Sequence, residues 1–373
     1  MKELLDGKYV ITDDEMYQAQ DEQLNRWEED IGGKTTTVRY KTPYGALEKA
    51  AKRLASSKGP MYTLETDRHG REVYKGTELS NYARSIRSFI GLYKPYIRYS
   101  PYIQLFFDTV EKLWLWDEIF TSPGASSAME GKKVAQRLND LVETMQQEAR
   151  TDSFKKSVAQ RQENSTKKLK SARTYVAKLF AWRSRLLVLR VDLEYRTDLD
   201  PPVTISQARK DLKHLLANRL KNKLFDHMGG YIWSLEFGGR GRGYHFHVAF
   251  FLDGARVQND PYIARQIGEY WVKTVTKGRG AYHNCNRDKA SYSRLNRLGI
   301  GRIERDELEK RQNLDLVVQY MTKKDYCLKP DFDSGRVFGK GGSPPVNTSG
   351  VGRPPRTQPE ENAQERDPSL PPE

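Results

Sequence analysis

The chain of 373 residues carries 63 Lys or Arg against 49 Asp or Glu, for a formal net charge of +14. That length can hold two domains and a sizeable core, and so basic a balance implies a polyanionic partner, nucleic acid first. No stretch approaches the ~18 apolar residues of a membrane span, and the start Met1-Lys2-Glu3-Leu4-Leu5-Asp6 lacks a signal-peptide core, so neither membrane insertion nor secretion is expected.

Residues 1–33 hold ten acids and three bases. They read either as a solvated leader or as a weak decoy lying over a basic groove. From Thr42 to about Phe120 the pattern is helical. Tyr44 to Ala55 forms a basic amphipathic helix, and Ile103, Phe106, Phe107, Val110, Leu113 and Leu115 mark a second by their spacing. Residues 128–180, rich in Lys, Gln, Glu, Arg and Ala, predict long helices. Ser153 to Arg190 alone has eleven Lys or Arg against one acid, Glu163, and a face so charged repels itself without a counter-ion. Lys167, Lys168, Lys170 and Arg173 are its candidate DNA contacts.

The period then changes. Leu186 to Tyr195 reads as a buried strand, and Ile205, Ala208, Leu212, Leu215, Leu216 and Leu220 as one apolar stripe of a helix. A hairpin follows, Tyr231 to Phe237 and Tyr244 to Leu252, around a turn of glycines with Arg240 and Arg242. Those two arginines are candidate phosphate clamps or solvated turn residues. Asn259-Asp260-Pro261 opens a further helix with a cap and a first-turn proline. Arg279 to Arg302 is basic and irregular, ending in a strand near Gly299 to Glu304, and a last helix runs to about Lys324. Beyond Pro330 the chain is rich in Gly, Pro and Ser, with eight of its seventeen prolines between Pro344 and Pro372.

The predicted organisation is a mainly helical region over residues 1–125, a basic helical connector over 126–180, an α+β domain with an antiparallel sheet and packed helices over 181–330, and a disordered tail over 331–373. Cys285 and Cys327 stand far apart without metal-ligand spacing and read as reduced thiols, which points to the cytoplasm.

The chemistry concentrates at His245-Phe246-His247. Residues i and i+2 of a strand share a face, so both imidazoles point one way. If Glu236 lies opposite either histidine, its carboxylate joins them, giving two nitrogens and an oxygen that suit Mg or Mn and also Zn. In the last helix Tyr320 has Lys323 and Lys324 three and four residues on. A phenol is a poor nucleophile at its free pKa of about 10; a nearby cation and a metal on the scissile phosphate both ease its attack.

Arg190-Val191-Asp192-Leu193, Gly243-Tyr244-His245-Phe246-His247, Tyr320-Met321-Thr322-Lys323-Lys324-Asp325 and Arg336-Val337-Phe338-Gly339-Lys340-Gly341, in that order, resemble the HUH endonucleases. Within them the chain looks similar to the inovirus-type replication initiators, the phage gene-two protein family. The resemblance spans about residues 182–341. It implies an RRM-like sheet, a divalent metal, Mg or Mn, on His245 and His247, and Tyr320 attacking a phosphate of single-stranded or supercoiled origin DNA. The products are a 5′-phosphotyrosyl bond and a free 3′-hydroxyl for a polymerase. Glu236 is the third ligand, with Asp192 its rival. Tyr326, about 240° further round a helix, does not share Tyr320's face, so a single tyrosine is expected to act.

The reading from a different class is a non-catalytic nucleic-acid-binding regulator on the same sheet, with Tyr244, Phe246 or Trp233 as base platforms. A histidine-cluster hydrolase is weakened by Ala249 at the next position in phase. No Walker-type loop occurs, so unwinding would need a host helicase.

Overall fold

The computed structural model describes residues 27–31, 34–38, 43–93, 95, 97–116, 128–219, 221–238, 243–323, 327–330 and 335–345. The N-terminal part comprises β1 (Trp27–Ile31), β2 (Lys34–Val38), α1 (Pro43–Ser56), β3 (Tyr62–Thr66), β4 (Glu72–Gly76), α2 (Ala83–Ile90), β5 (Ile97–Tyr99), α3 (Pro101–Lys112) and α4 (Ala128–Ala149). Its helices enclose one apolar core built on Leu47, Leu54, Ile86, Phe106 and Leu138. Burying such a side chain contributes about 1.5–3 kcal/mol.

This region is less purely helical than its sequence predicts, because two hairpins, β1–β2 and β3–β4, interrupt it. The β3–β4 turn is specified locally. The Asp67 carboxylate accepts the backbone N–H of His69 and of Arg71 at 2.8 and 3.0 Å, and Gly70 takes a φ of +75° that other residues avoid.

The rest of the chain runs through α5 (Asp152–Trp182), β6 (Arg185–Tyr195), α6 (Ile205–Asn218), β7 (Met228–Gly238), β8 (Gly243–Asp253), α7 (Asp260–Tyr270), β9 (Gly280–Asn284), α8 (Lys289–Arg294), β10 (Gly301–Glu304), α9 (Leu308–Lys323), β11 (Cys327–Pro330) and β12 (Phe338–Lys340). Side chains cap these helices where the sequence places Ser, Thr or Asn. Thr151 starts α5, Thr204 starts α6, and Asn259 starts α7, followed by a first-turn proline.

The main sheet is antiparallel in the order β10-β6-β8-β7-β12, with β9 also on the β6 edge, in line with β10. Odd-numbered β6 residues, Leu187, Leu189, Val191 and Leu193, face a core shared with α6 and α7. Leu186 and Val188 face the opposite core, closed by α5 and α9 through Leu179, Phe180, Leu314 and Val318. The sheet is thus covered by helices on both faces, and β6 reads as apolar nearly throughout.

Two expected boundaries move, and one expected irregular stretch is ordered. The 126–180 connector divides: α4 belongs to the N-terminal core through Leu138, Leu141 and Met145, while the second half of α5 packs on the sheet. The stretch around Arg279 to Arg302 is ordered as β9, a 3-10 turn and α8 rather than irregular. The domain also passes residue 330, because β12 pairs with β7 through Phe338 with Ser234 and Lys340 with Ile232. Gly339 permits this pairing, since a Cβ there would meet the Trp233 ring at 2.6 Å. Residues 1–26 and 346–373, including most of the tail expected to be disordered, lie outside the described residues. Among the described residues, no helix is long and apolar enough to cross a membrane.

Candidate metal centre

Register brings the site together. On β7 and β8, Glu236 pairs with His245 and Ser234 with His247; on the far side of β8, Asp192 of β6 pairs with His247. Paired residues share a face, so these side chains all project toward α9. The ligand atoms of Glu236, His245 and His247 lie within 4.8 Å of one another. Glu236 Oε2 is 3.6 Å from His245 Nε2, and its Oε1 is 3.3 Å from His247 Nε2. Two ligands at ~2.1 Å from a tetrahedral metal stand about 3.4 Å apart, so these spacings fit a shared cation.

Both imidazoles are oriented from behind. His247 Nδ1 is 2.7 Å from Asp192 Oδ1, and His245 Nδ1 is 3.3 Å from the carbonyl oxygen of Gly243. With its proton on Nδ1, each ring donates outward and turns its Nε2 lone pair toward Glu236. Gly243 occupies the left-handed region at φ +64°, where the chain leaves the turn and enters β8. This geometry separates Glu236 from its rival: Asp192 holds a histidine, and Glu236 faces the nitrogens that would take a metal.

Asp192 is itself held by a buried guanidinium. Arg190, 3 % exposed, places Nε 3.3 Å from Asp192 Oδ1 and a terminal nitrogen 3.5 Å from Oδ2. Burial raises the Asp192 pKa, but Arg190, His247 and His283 outweigh it and keep the carboxyl well below the usual range. Burial likewise lowers the Arg190 pKa, and Asp192 together with Cys285 and Tyr292 more than offsets this. His283 pairs with Asp192 from β9. Burial disfavours its charged ring, yet Asp288, 3.3 Å away, and Cys285 hold its pKa well above the ordinary imidazole value.

Tyr320 reaches this cluster from α9. Its ring centroid is 5.6 Å from that of His247, at an interplanar angle of 72°, and the Arg190 guanidinium carbon lies 4.9 Å from it. Tyr320 is 5 % exposed, so the ring lies in the packed interface between α9 and the sheet. The cation on the tyrosine is Arg190, which sequence spacing within α9 did not suggest. The side chain of Lys323, and Lys324, Arg240, Arg242 and Tyr326 altogether, lie outside the described residues.

The basic stripe on α5 is used unevenly. Arg173 forms a forked ion pair with Asp315 of α9, at 2.7 and 2.5 Å, so it fastens two helices together rather than standing free for DNA. Lys167 pairs with Glu163 at 2.5 Å, Lys168 is half-buried and Lys170 is exposed. Phe246 is wholly buried among α6 and α7 residues, which leaves no face open to a base, while Trp233 is half-buried and packs edge-on against it at 6.1 Å. Tyr244 packs on Phe237 at 4.8 Å.

His283 was not singled out from sequence, and Arg190 was quoted only as the first residue of a strand motif, with no role given to it. A signal existed for Arg190: Arg190, Asp192 and Glu194 alternate along a strand that is otherwise apolar, which marks one polar face in a buried element. His283 carried no comparable signal.

No curated protein and no solved structure matches the chain. Residues 147–341 match the family model described as the YagK/YfjJ C-terminal domain. The match starts in the last turn of α4 and ends one residue after β12, so it takes in all of α5 and the main sheet. Covering more than half of the 373 residues, it shows that the chain belongs to the YagK/YfjJ C-terminal domain family.

Proposed function

We propose that the protein is a metal-dependent nickase of single-stranded DNA, a replication initiator of the HUH kind acting at a phage or mobile-element origin. The observation that carries this reading is the packing of Tyr320 against His247, which sets a phenol beside the Glu236, His245 and His247 triad. The succession β6-α6-β7-β8-α7-β10, with β9 and α8 inserted before β10 and with β6 and β8 central, supports an RRM-like sheet.

Glu236, His245 and His247 would hold the cation, Mg or Mn. When bound, such an ion supplies Lewis acidity at a phosphoryl oxygen and offsets charge on the leaving group. Asp192 and Gly243 keep the two imidazoles in register for that task. Tyr320 Oη forms the bond to phosphorus and gives up its proton; the bond from phosphorus to the 3′-oxygen breaks, and that oxygen takes up a proton. A host helicase and polymerase would act on the product.

The test is a covalent-adduct assay with full-length protein, using single-stranded and supercoiled DNA from its own genetic neighbourhood, with Mn or Mg and with chelator. A metal-dependent adduct that resists denaturant and is lost in Tyr320→Phe is expected. The second reading, a non-catalytic nucleic-acid-binding regulator, is favoured by the burial of Tyr320. Tight DNA binding without an adduct, from folded and metal-supplied protein, would establish it in place of the first.

A further inference from the structure

A second concentration of chemistry lies away from the histidines, where α5 meets the end of β12. A cavity of about 300 Å³ is lined there by Lys167, Lys170, Thr174, Lys178, Lys340 and Ser343, with Ser171 and Tyr175 completing it. The α5 members recur every three or four residues, so they form one stripe of the helix. Lys340 and Ser343 supply the facing wall from the sheet edge. The cavity is built into the fold at that wall: a Cβ on Gly341 would meet the Tyr175 hydroxyl at 2.5 Å, and Lys340 Nζ sits 5.0 Å over the Tyr175 ring.

The charge here is lopsided. No carboxylate lines the cavity, and only Lys167 is balanced nearby, by Glu163 at 2.5 Å. Lys170, Lys178 and Lys340 form no ion pair among the described residues. All three are exposed side chains that border one opening with no carboxylate among its lining residues, a positive patch that attracts an anion. The hydroxyls of Ser171 and Ser343 are neutral donors that suit phosphate oxygens, whereas that of Thr174 already donates to the Lys170 carbonyl oxygen at 2.9 Å.

We infer that this lysine-lined cavity is a phosphate subsite that holds a backbone phosphate of single-stranded DNA. The inference rests on the nucleic-acid reading above and is independent of the tyrosine chemistry. Lys340 pairs with Ile232, four residues before Glu236 on β7, so the subsite lies roughly 13 Å along the strand from the triad, on the same face of the sheet. Because α5 and α9 close that face over its apolar residues, a strand seated on Lys170, Lys178 and Lys340 runs outside the helices at the sheet edge, and the subsite acts as a positioning element for the substrate.

The experiment is the salt dependence of binding of a fluorescein-labelled oligothymidylate to the full-length protein by anisotropy. Lys170→Gln with Lys178→Gln, and separately Lys340→Gln, are compared with Lys210→Gln with Lys213→Gln, which removes equal charge from α6 on the other face of the sheet. The double cavity variant is expected to bind about tenfold more weakly or worse in ~0.1 M salt, and its slope of log K against log salt to fall by about 0.7, the value for one phosphate no longer neutralised. Lys340→Gln should lose part of the same ~0.7, and the α6 control should keep the wild-type slope. Equal losses in the cavity and control variants would overturn the inference, as would an unchanged slope in both cavity variants. Tight binding of inorganic pyrophosphate that the cavity substitutions abolish, with oligothymidylate binding unaltered, would reassign the cavity to a free phosphate compound and overturn it as well. Unaltered slopes beside an intact Tyr320-dependent adduct would leave the nickase standing; lost slopes without any wild-type adduct would leave the subsite standing.

Discussion

Replacing Asp192 by Asn removes one charge from a buried pair and leaves the other. Arg190 is 3 % and Asp192 7 % exposed, and the guanidinium, with a pKa raised by its surroundings, has no neutral form to retreat to. Breaking such a pair from one side costs about 3–5 kcal/mol. Against a typical total stability of about 5–15 kcal/mol, that brings the domain close to unfolding. Arg190→Met is milder, because Asp192 keeps the Nδ1–H of His247, 2.7 Å away, and a lost charged hydrogen bond costs about 1.5–3 kcal/mol. The double variant Arg190→Met with Asp192→Asn removes both charges of the pair, so it should be more stable than the sum of the single losses by about 2–4 kcal/mol. Urea unfolding in chelator, followed by far-ultraviolet circular dichroism, measures all four proteins without a metal contribution. A loss below about 1 kcal/mol for Asp192→Asn, or strict additivity in the cycle, would show that the pair is not the energetic centre of this face.

Three further outcomes are expected. In calorimetric titration with Mn, His245→Ala, His247→Ala and Glu236→Gln should abolish binding, and Asp192→Ala should weaken it ~10–100-fold by freeing the His247 ring; equal binding by all four proteins would remove the site. Gly268→Ala places a methyl of α7 into the Tyr282 ring of β9 and should cost about 1–3 kcal/mol in thermal unfolding, with partial recovery when Tyr282→Ala is added. Because the His283 pKa is raised on folding, its charged form stabilises the fold fully below the unfolded value of ~6.5 and loses that effect as pH climbs through the folded value. The stability gap between wild type and His283→Asn, measured in chelator, should therefore narrow from pH 6 toward alkaline pH, and a gap that widens would reverse the assignment.

The histidine face was legible in the sequence because it follows from local rules. A two-residue period aligned His245 with His247, and the hairpin placed Glu236 opposite His245. The pairing of β6 with β8 was not legible, since those strands are separated by a helix and another strand, and only their register sends Asp192 to the back of His247. Arg190 on Tyr320 was hidden for the same reason: two elements 130 residues apart meet through tertiary packing. β12 escaped because Phe338-Gly339-Lys340 sits in glycine-rich sequence, where composition argues for disorder while a specific contact with Trp233 selects glycine. The β3–β4 hairpin was obscured because helical periodicity on both sides dominated the window that contained its turn.

One pairing joins the two halves of the molecule. β11, the first described backbone after the helix that bears Tyr320, finds its hydrogen-bonding partner in β5, Cys327 opposite Tyr99 and Pro330 opposite Ile97. Phe237, next to Glu236, rests on the N-terminal core in the same way. A fragment trimmed to the family limits of 147–341 would keep every proposed ligand and the tyrosine, yet lose this clasp and expose an unpaired strand edge just past the helix that positions the nucleophile. The limits of the shared family thus cut across a strand pairing, and what this chain has in common with its relatives is smaller than what its own backbone ties together.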